Sequence, residues 1–272
     1  MSEDYQIDFS RWLNRQNALT NRADGKFIRT NEKRLRKRLA LLWKKQMEWV
    51  IEEMGGLPQF QTNAATPQDF VEGMPEQKAI AETIVASMRV SLAKGGKTIL
   101  KKLKLGDFGI SFSLQNKEAI RFLGNKLSHE LSNYRGNIHK TTTDRISKIL
   151  RDAAADGRSY SETSKLIQKQ AKSGVFSQAR GELIATREIG VAYEKGNDIP
   201  VRDFIGKNPD RRVLKLWRTV GDDRVTPRCR ENAAEGWISY SQNFSSGDEI
   251  APRDDHPRCR CFTEKKIEAP KK

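Results

Sequence analysis

The sequence has no long apolar segment and no apolar leader. None of its 272 residues belongs to an apolar run close to the roughly 20 residues that a membrane-spanning helix needs. The first residues, Met1 to Tyr5, are acidic and polar, whereas a secretory signal starts with a basic segment followed by an apolar one. The sequence therefore predicts neither export by that route nor a membrane anchor.

Cysteine is scarce as well. There are three, Cys229, Cys259 and Cys261, and all lie near the C-terminus. An odd, clustered set argues against a disulfide framework and indicates reduced thiols, as in a cytoplasm. The clustering points to a local site in the C-terminal part of the chain.

Acidic residues are outnumbered by basic ones. The chain has 50 Lys and Arg against 35 Asp and Glu, a formal net charge of +15. This excess favours attraction to polyanions such as nucleic acid; solubility or an acidic protein partner are the alternative explanations. Hydrophobic residues make up 36% of the chain, enough for a lean core.

Residues 26 to 54 have the periodicity of one long amphipathic helix. At about 100° per residue, the apolar side chains fall on one arc: Ile28, Leu35, Leu39, Leu42, Trp43, Val50 and Met54. A set of cations, here called the basic face, falls on the opposite arc: Lys33, Arg34, Lys37, Arg38, Lys44 and Lys45. The basic face is a candidate surface for DNA phosphates or an acidic partner, with a solvated helix face as the alternative.

Glycine and proline predict where the next elements end. Gly55-Gly56 should end the first helix, and a linker should follow as far as Pro75. A second helix is expected over 76 to 93, ended by Gly95-Gly96. Residues 108 to 114 alternate apolar with small residues, which predicts a strand or an extended arm.

The remainder divides into a helical stretch and a β-prone stretch. Residues 116 to 196 fit three or four helices, and Ser159 with Glu162 matches a capping box. After Gly196 to Pro200, runs such as Val213 to Trp217 favour strands. The expected fold class is α+β and mainly helical. Its expected parts are a basic helical region with a linker at 1–75, a helical middle region at 76–200, and a small β-containing Cys/His lobe at 201–272.

The three cysteines share the C-terminal segment with one of only three histidines. Cys229, His256, Cys259 and Cys261 would complete the four-ligand shell of a structural zinc ion. The segment has few aliphatic side chains, so zinc, at about 10 to 16 kcal/mol of apparent binding free energy, would contribute more to its folding than their burial would. The alternative is three reduced cysteines packed as small hydrophobic residues beside a hydrogen-bonded His256.

Two other classes of function are open. A metal-dependent nuclease or transferase would use Asp222, Asp223, Glu188 and His256. No HxxE motif, paired carboxylate or phosphate-binding glycine loop arranges these residues, and no nucleophile has an adjacent base. The sequence therefore predicts that the chain is not an enzyme. A zinc-dependent nucleic-acid-binding regulator is the other class.

Several residues of the C-terminal half occur in a characteristic order. They are Ala185 to Glu188 followed by Ala192 and Gly196, then Trp217, Asp222-Asp223-Arg224, Cys229, and His256-Pro257-Arg258-Cys259-Arg260-Cys261. This order resembles the phage Mu protein F-like family of head morphogenesis proteins, over roughly residues 116 to 265. Two departures are visible. Thr186 and Arg187 are exchanged relative to the family's Ala-Arg-Thr-Glu, and Thr226 stands where many relatives have a second cysteine.

The resemblance implies a minor head protein of a tailed bacteriophage. Such a protein acts in head morphogenesis with the portal and other capsid proteins, inside the capsid of the virion and, during assembly, in the host cytoplasm. It takes part in assembly or in events around DNA packaging and delivery, where the basic face would contact double-stranded DNA without reading its sequence. Because Thr226 replaces a cysteine, His256 becomes the necessary fourth ligand of any zinc ion.

Overall fold

A computed structural model describes residues 24–56, 74–132, 138–223, 225–252, 256 and 259–268. Helices dominate these residues and a small sheet lies near the C-terminus, which confirms the α+β, mainly helical class. The helices are α1 (Gly25–Gly56), α2 (Gln77–Lys102), α3 (Lys117–Leu131), α4 (Ile138–Ala155), α5 (Tyr160–Ser173), α6 (Gln178–Lys207) and α7 (Pro227–Ala234), with a 3-10 helix at Leu105–Phe108. The strands are β1 (Val213–Arg218), β2 (Ile238–Ser239) and β3 (Phe262–Ile267). No helix among the described residues has the length and apolarity to cross a membrane.

Helix α1 forms where the amphipathic period predicted it. Six residues of the apolar arc are at most 2% exposed: Ile28, Leu35, Leu39, Trp43, Val50 and Met54. Leu42 is half-buried, and all six cations of the basic face are exposed. Helix propensity alone rarely stabilises a helix in water, so burial of this stripe, at about 1.5–3 kcal/mol per large side chain, is what holds α1. The linker predicted after Gly56 lies outside the described residues up to Met74.

The prediction that Gly95-Gly96 end the second helix is wrong, because α2 continues to Lys102. A Cβ atom on Gly95 would lie 2.1 Å from the carbonyl oxygen of Tyr193 in α6. A Cβ atom on Gly196 would likewise lie 2.1 Å from the carbonyl oxygen of Leu92 in α2. These glycines therefore allow the main chains of α2 and α6 to approach closely; they do not act as stops.

Of the two alternatives for residues 108 to 114, the structure has the extended arm. Leu105–Phe108 is a 3-10 helix, and residues 110 to 113 have no regular secondary structure and take no part in the sheet. Ile110 is buried, and the Phe112 ring occupies the space that a Cβ atom on Gly96 would need. The alternation in the sequence thus marks an arm that packs one face against a helix.

The capping box is confirmed, whereas the end of the helical stretch is later than predicted. The Ser159 hydroxyl accepts from the Glu162 amide, and the Glu162 carboxylate accepts from the Ser159 amide. Helix α6 includes Pro200 and continues to Lys207. Proline removes one helical hydrogen bond. The helix nevertheless continues, with Val201 and Phe204 fully buried in its next turn.

The sheet has three antiparallel strands in the order β2-β1-β3. The central strand β1 is buried from Val213 to Trp217, as two-sided coverage requires. Lys215 stands opposite Lys265 of β3, and Trp217 stands opposite Thr263. Residues 213 to 268, which contain β1, α7, β2 and β3, are called the C-terminal lobe below.

The described residues divide between two compact units. The first unit takes its residues from 1–32, 87–121 and 186–272, and the second from 33–86 and 122–185. Helices α1, α2, α3 and α6 contribute to both, and the C-terminal lobe belongs to the first. The second unit contains a cation–π contact on α1, in which the Arg180 guanidinium lies 5.3 Å from the centroid of the Trp43 ring.

Candidate metal centre

Three of the predicted ligands converge in the C-terminal lobe. The ligand atoms of Cys229, His256 and Cys259 all lie within 4.8 Å of one another, and Cys229 Sγ is 3.8 Å from His256 Nδ1. Ligands of one tetrahedral zinc ion, at about 2.3 Å for sulfur and about 2.0–2.1 Å for nitrogen, are separated by about 3.5–3.8 Å. Both cysteines are buried and His256 is half-buried. The geometry is therefore close to that of a metal centre.

Helix α7 places Cys229 at this point. Thr226 is the N-cap of α7, and its hydroxyl oxygen accepts from the Cys229 amide at 3.4 Å. Pro227 follows at the first helical position, where a missing amide hydrogen costs nothing. Thr226, the departure from the family pattern, thus fixes the start of the helix that carries a candidate ligand. The Thr-Pro pair is an N-cap signal that the sequence-based interpretation did not use.

The second half of the site is the segment that leads into β3. The Cys259 amide donates to the His256 carbonyl at 2.8 Å, which folds these two candidate ligands into one turn. Cys259 and Cys261 are 3% and 2% exposed. Side chains two residues apart lie on the same side of an extended chain. The Cys-x-Cys spacing therefore directs both thiols into the core.

Arg260, between the two cysteines, reaches in the other direction. Its guanidinium donates to the Glu32 carboxylate of α1 at 3.2 and 3.3 Å and to the Thr186 hydroxyl of α6 at 2.9 Å. The side chains of this ion pair are only 14% and 12% exposed. The Cys-Arg-Cys segment therefore joins the thiol cluster to two helices. No local sequence signal predicts this contact, because Glu32 and Thr186 are distant from Arg260 in the chain.

The pKa values of two of the thiols, Cys229 and Cys261, are shifted in opposite directions. Hydrogen bonds with Cys259 and Cys261, assisted by Thr226 and His256, hold the pKa of Cys229 well below its ordinary value despite burial. The same contacts with Cys229 and Cys259, together with burial, raise the pKa of Cys261 well above its ordinary value. One thiolate is thus favoured at neutral pH, and the thiolate is the form that binds metals. The role of Cys261 as a fourth ligand stays a prediction.

Apolar side chains surround the cluster. Trp217 and Phe244 meet edge to face with ring centroids 5.2 Å apart. They share a buried cluster with all three cysteines and with Val220, Val225 and Ala251. Burial among apolar groups is common to a zinc centre and to cysteines packed as hydrophobic residues. The convergence of an imidazole nitrogen on two thiols is compatible with a zinc shell, and it equally fits an imidazole that is hydrogen-bonded to Cys229.

The carboxylates of the enzyme alternative lie elsewhere. Among the described residues, the group with convergent metal-binding atoms is Cys229, His256 and Cys259, and it includes none of these acids. Glu188 is buried and pairs with Arg187 at 3.0 Å. Asp222 is buried and Asp223 is exposed. Arg224, Pro257 and Arg258 of the signature lie outside the described residues.

The basic face forms one exposed side of α1. Lys44 pairs with Glu48 at 3.5 Å and Lys45 pairs with Glu76 at 3.2 Å. The other four cations, Lys33, Arg34, Lys37 and Arg38, pair with no carboxylate among the residues that the structure describes. Leu41, which is 66% exposed, lies on the same side. The surface is therefore cationic with one apolar residue in it.

Comparisons with protein-family models, with curated proteins and with solved structures find no match for this chain. The function of the site therefore has to be inferred from its own geometry and from the sequence motifs.

Proposed function

We propose that the protein is a minor head protein of a tailed bacteriophage, a structural and assembly component and not an enzyme. One observation carries the proposal beyond the sequence resemblance. Trp217, Cys229, Cys259 and Cys261, four members of the signature, belong to one buried cluster, and His256 contacts Cys229. The C-terminal part of the signature thus forms one buried cluster, which supports a structural role for these residues.

The test is the composition of virions. We expect quantitative mass spectrometry of purified particles of the phage that encodes this chain to find it in a constant ratio to the portal protein. Deleting the gene should yield defective heads that the wild-type gene restores. Particles in which the amount of the chain bears no constant ratio to the amount of portal protein would contradict the proposal.

Within this function, we infer that Cys229, His256, Cys259 and Cys261 bind one structural zinc ion. The closed shell would leave no position for a catalytic water, so its effect would be on folding. Elemental analysis of the purified protein should give about one zinc per chain. Cys229→Ser should abolish binding. Cys261→Ser tests whether this thiol is the fourth ligand. If it is, Cys261→Ser should lose as much zinc as Cys229→Ser does.

We also infer that the basic face contacts packaged DNA through phosphates. Each phosphate contact contributes about −0.9 to the slope of log affinity against log salt. Replacing Lys33, Arg34, Lys37 and Arg38 by Gln should therefore weaken binding to duplex of any sequence and reduce the salt slope. The matched control replaces the exposed Lys148, Lys165, Lys169 and Lys172 of α4 and α5 by Gln, which removes the same charge. Equal loss in both variants would rule out a specific role for the basic face.

The assignment as a non-enzyme has a separate test. Incubation with DNA and magnesium or manganese should leave the DNA intact. Cleavage that is lost in Asp222→Asn but kept in Asp223→Asn would instead favour the nuclease alternative.

A further inference from the structure

The C-terminal lobe and the end of α6 border an open cavity of about 280 Å³. Small-molecule sites begin at about 300 Å³, so this volume suits a ligand of few atoms. Lys215 of β1 and Arg202 of α6 border it, together with Tyr240 and Ser241. Ile205 and Ile250 supply apolar wall. The cavity is separate from the thiol cluster.

Lys215 is the unusual member of this lining. It occupies the middle of the otherwise apolar run Val213 to Trp217 and is only 2% exposed. Its Nζ donates to the Glu249 carbonyl oxygen at 2.8 Å and lies 5.1 Å from the Phe244 ring centroid and 5.6 Å from that of Tyr240. An ammonium group has three donors. The Glu249 carbonyl is its one hydrogen-bond acceptor among the described residues.

The nearby acids are committed to other partners. The Asp198 carboxylate accepts from Arg202, from Lys195 and from the Tyr240 hydroxyl, and the Glu249 carboxylate accepts from Arg202. Burial lowers the pKa of Lys215 to about 8; attraction by Glu249 and Asp198 only partly offsets this, while Arg202 and Lys265 repel the charge. Lys265, which stands opposite on β3, has its own partner in Glu194 at 3.6 Å. Among the described residues, the buried ammonium therefore forms no ion pair of its own.

We propose that this cavity binds a small organic carboxylate, whose anionic group pairs with the Lys215 ammonium and whose aliphatic part contacts Ile205 and Ile250. A carboxylate fits because it supplies the missing negative charge and accepts the unused ammonium hydrogens. The Arg202 guanidinium at the side of the cavity is paired with Asp198 and Glu249, which leaves the Lys215 ammonium as the cation for the anionic group. The short apolar wall favours a ligand with a few methylene groups.

Binding and protonation of Lys215 are then linked. The anion stabilises the ammonium form, so it raises the pKa of Lys215 towards the ordinary lysine value, and affinity declines as the pH rises above about 8. A shift of one unit corresponds to about tenfold tighter binding to the protonated than to the neutral amine. The pKa of Lys215 therefore reports ligand binding directly at the cavity.

The experiment uses the full chain labelled with ¹³C at lysine Cε and butyrate as the probe. NMR titration should give an apparent pKa near 8 for Lys215 without the probe and a value at least about one unit higher with saturating butyrate. Butyramide, the neutral analogue, should cause no shift. The exposed Lys207 of α6, paired with Asp203, serves as the control resonance in the same spectrum. A Lys215 resonance that butyrate leaves unchanged, or that butyramide shifts equally, overturns the proposal.

Two variants complete the test. Lys215→Met identifies the resonance and should abolish the butyrate effect. Ser241 is exposed at the rim of the cavity, so Ser241→Trp should leave the fold intact. The larger side chain should block entry of butyrate into the cavity while Lys215 is unchanged. Unimpaired butyrate binding in Ser241→Trp would place the ligand outside the cavity and overturn the proposal. A parallel titration with N-acetylglutamate methylamide identifies the source of the carboxylate. If this compound binds more tightly than butyrate, the carboxylate is an acidic side chain of a protein partner. If it binds more weakly, the carboxylate is that of a free organic acid.

Discussion

Helix α1 and the C-terminal lobe bury their side chains by different means. In α1 the buried positions recur with the helical period and are occupied mainly by Leu, Ile, Val, Met and Trp. In the lobe, the buried groups include three cysteines, Asp222, Lys215 and Lys265. Apolar burial is non-directional and depends little on solution conditions near neutral pH, whereas thiols and buried charges depend on metal, redox state and pH. We therefore expect the two regions to respond differently to the same treatment.

The zinc centre that we propose gives the largest expected difference. Chelation, or Cys229→Ala, should remove up to about 10 kcal/mol of apparent stabilisation from the lobe and unfold it. Residues 35 to 54 of α1 should keep their protection because their apolar stripe contains no metal ligand. Hydrogen exchange followed by peptide mass spectrometry resolves the two regions. Equal loss of protection in both would show that the comparison is mistaken.

The next effect concerns the crossing of α2 and α6. Gly95→Ala or Gly196→Ala places a Cβ atom 2.1 Å from a main-chain oxygen. The helices must separate, which should cost about 3 kcal/mol of unfolding free energy even after alanine's gain in helix propensity. The matched control is Gly124→Ala in α3, where a Cβ atom meets nothing within 4 Å. Urea unfolding should show that control to be more stable by about 0.5–1 kcal/mol.

A smaller effect is expected where the lobe joins the helices. Arg260→Ala removes the bonds to Glu32 and Thr186, and hydrogen bonds to a charged group of this burial contribute about 1.5–3 kcal/mol. Arg218→Ala breaks the more exposed pair with Glu264 and should cost less than about 1 kcal/mol. Urea unfolding of both variants measures the difference. If Arg218→Ala lowers the free energy of unfolding more than Arg260→Ala does, the contacts of Arg260 with Glu32 and Thr186 are not what stabilises the lobe against the helices.

The smallest effect is at the N-cap of α7. Thr226→Ala should cost about 1 kcal/mol because the Cys229 amide loses its acceptor, while Thr226→Ser should be nearly neutral. Thermal unfolding gives the stability, and a zinc titration tests whether the loss reaches the cluster through Cys229. An unchanged stability in Thr226→Ala would leave the cap without a role.

The elements that sequence predicts well are those whose pattern is local. The stripe of α1 and the Ser159 capping box depend on residues within a few turns of each other, and both are confirmed. The prediction for the glycines of α2 is wrong because glycine is common both at helix ends and where two helices approach closely. Only the position of the partner helix distinguishes these two roles. The end of α6 was misplaced for a similar reason, since burial beyond Pro200 is a tertiary effect.

The candidate site divides in the same way. Residue chemistry alone selects Cys229, His256, Cys259 and Cys261, and the structure brings the ligand atoms of the first three within 4.8 Å of one another. The Thr226-Pro227 pair is itself a local N-cap signal, so the start of α7 is predictable from the sequence. Arg260 and Lys215 carry no local signal of their contacts, because their partners come from other elements. A lysine within an apolar strand is nevertheless a warning that the strand does more than fill a core.

The crossing at Gly95 and Gly196 has a consequence for tracing ancestry. Where two helices touch through main-chain atoms, their spacing is set by the polypeptide itself and not by the choice of side chains. Drift in the surrounding core can then erase ordinary sequence similarity while the crossing persists. A glycine pair in one helix with a glycine at the crossing point of a later one, upstream of a Cys-x-Cys segment, is therefore a marker by which diverged homologues of this chain can be searched for.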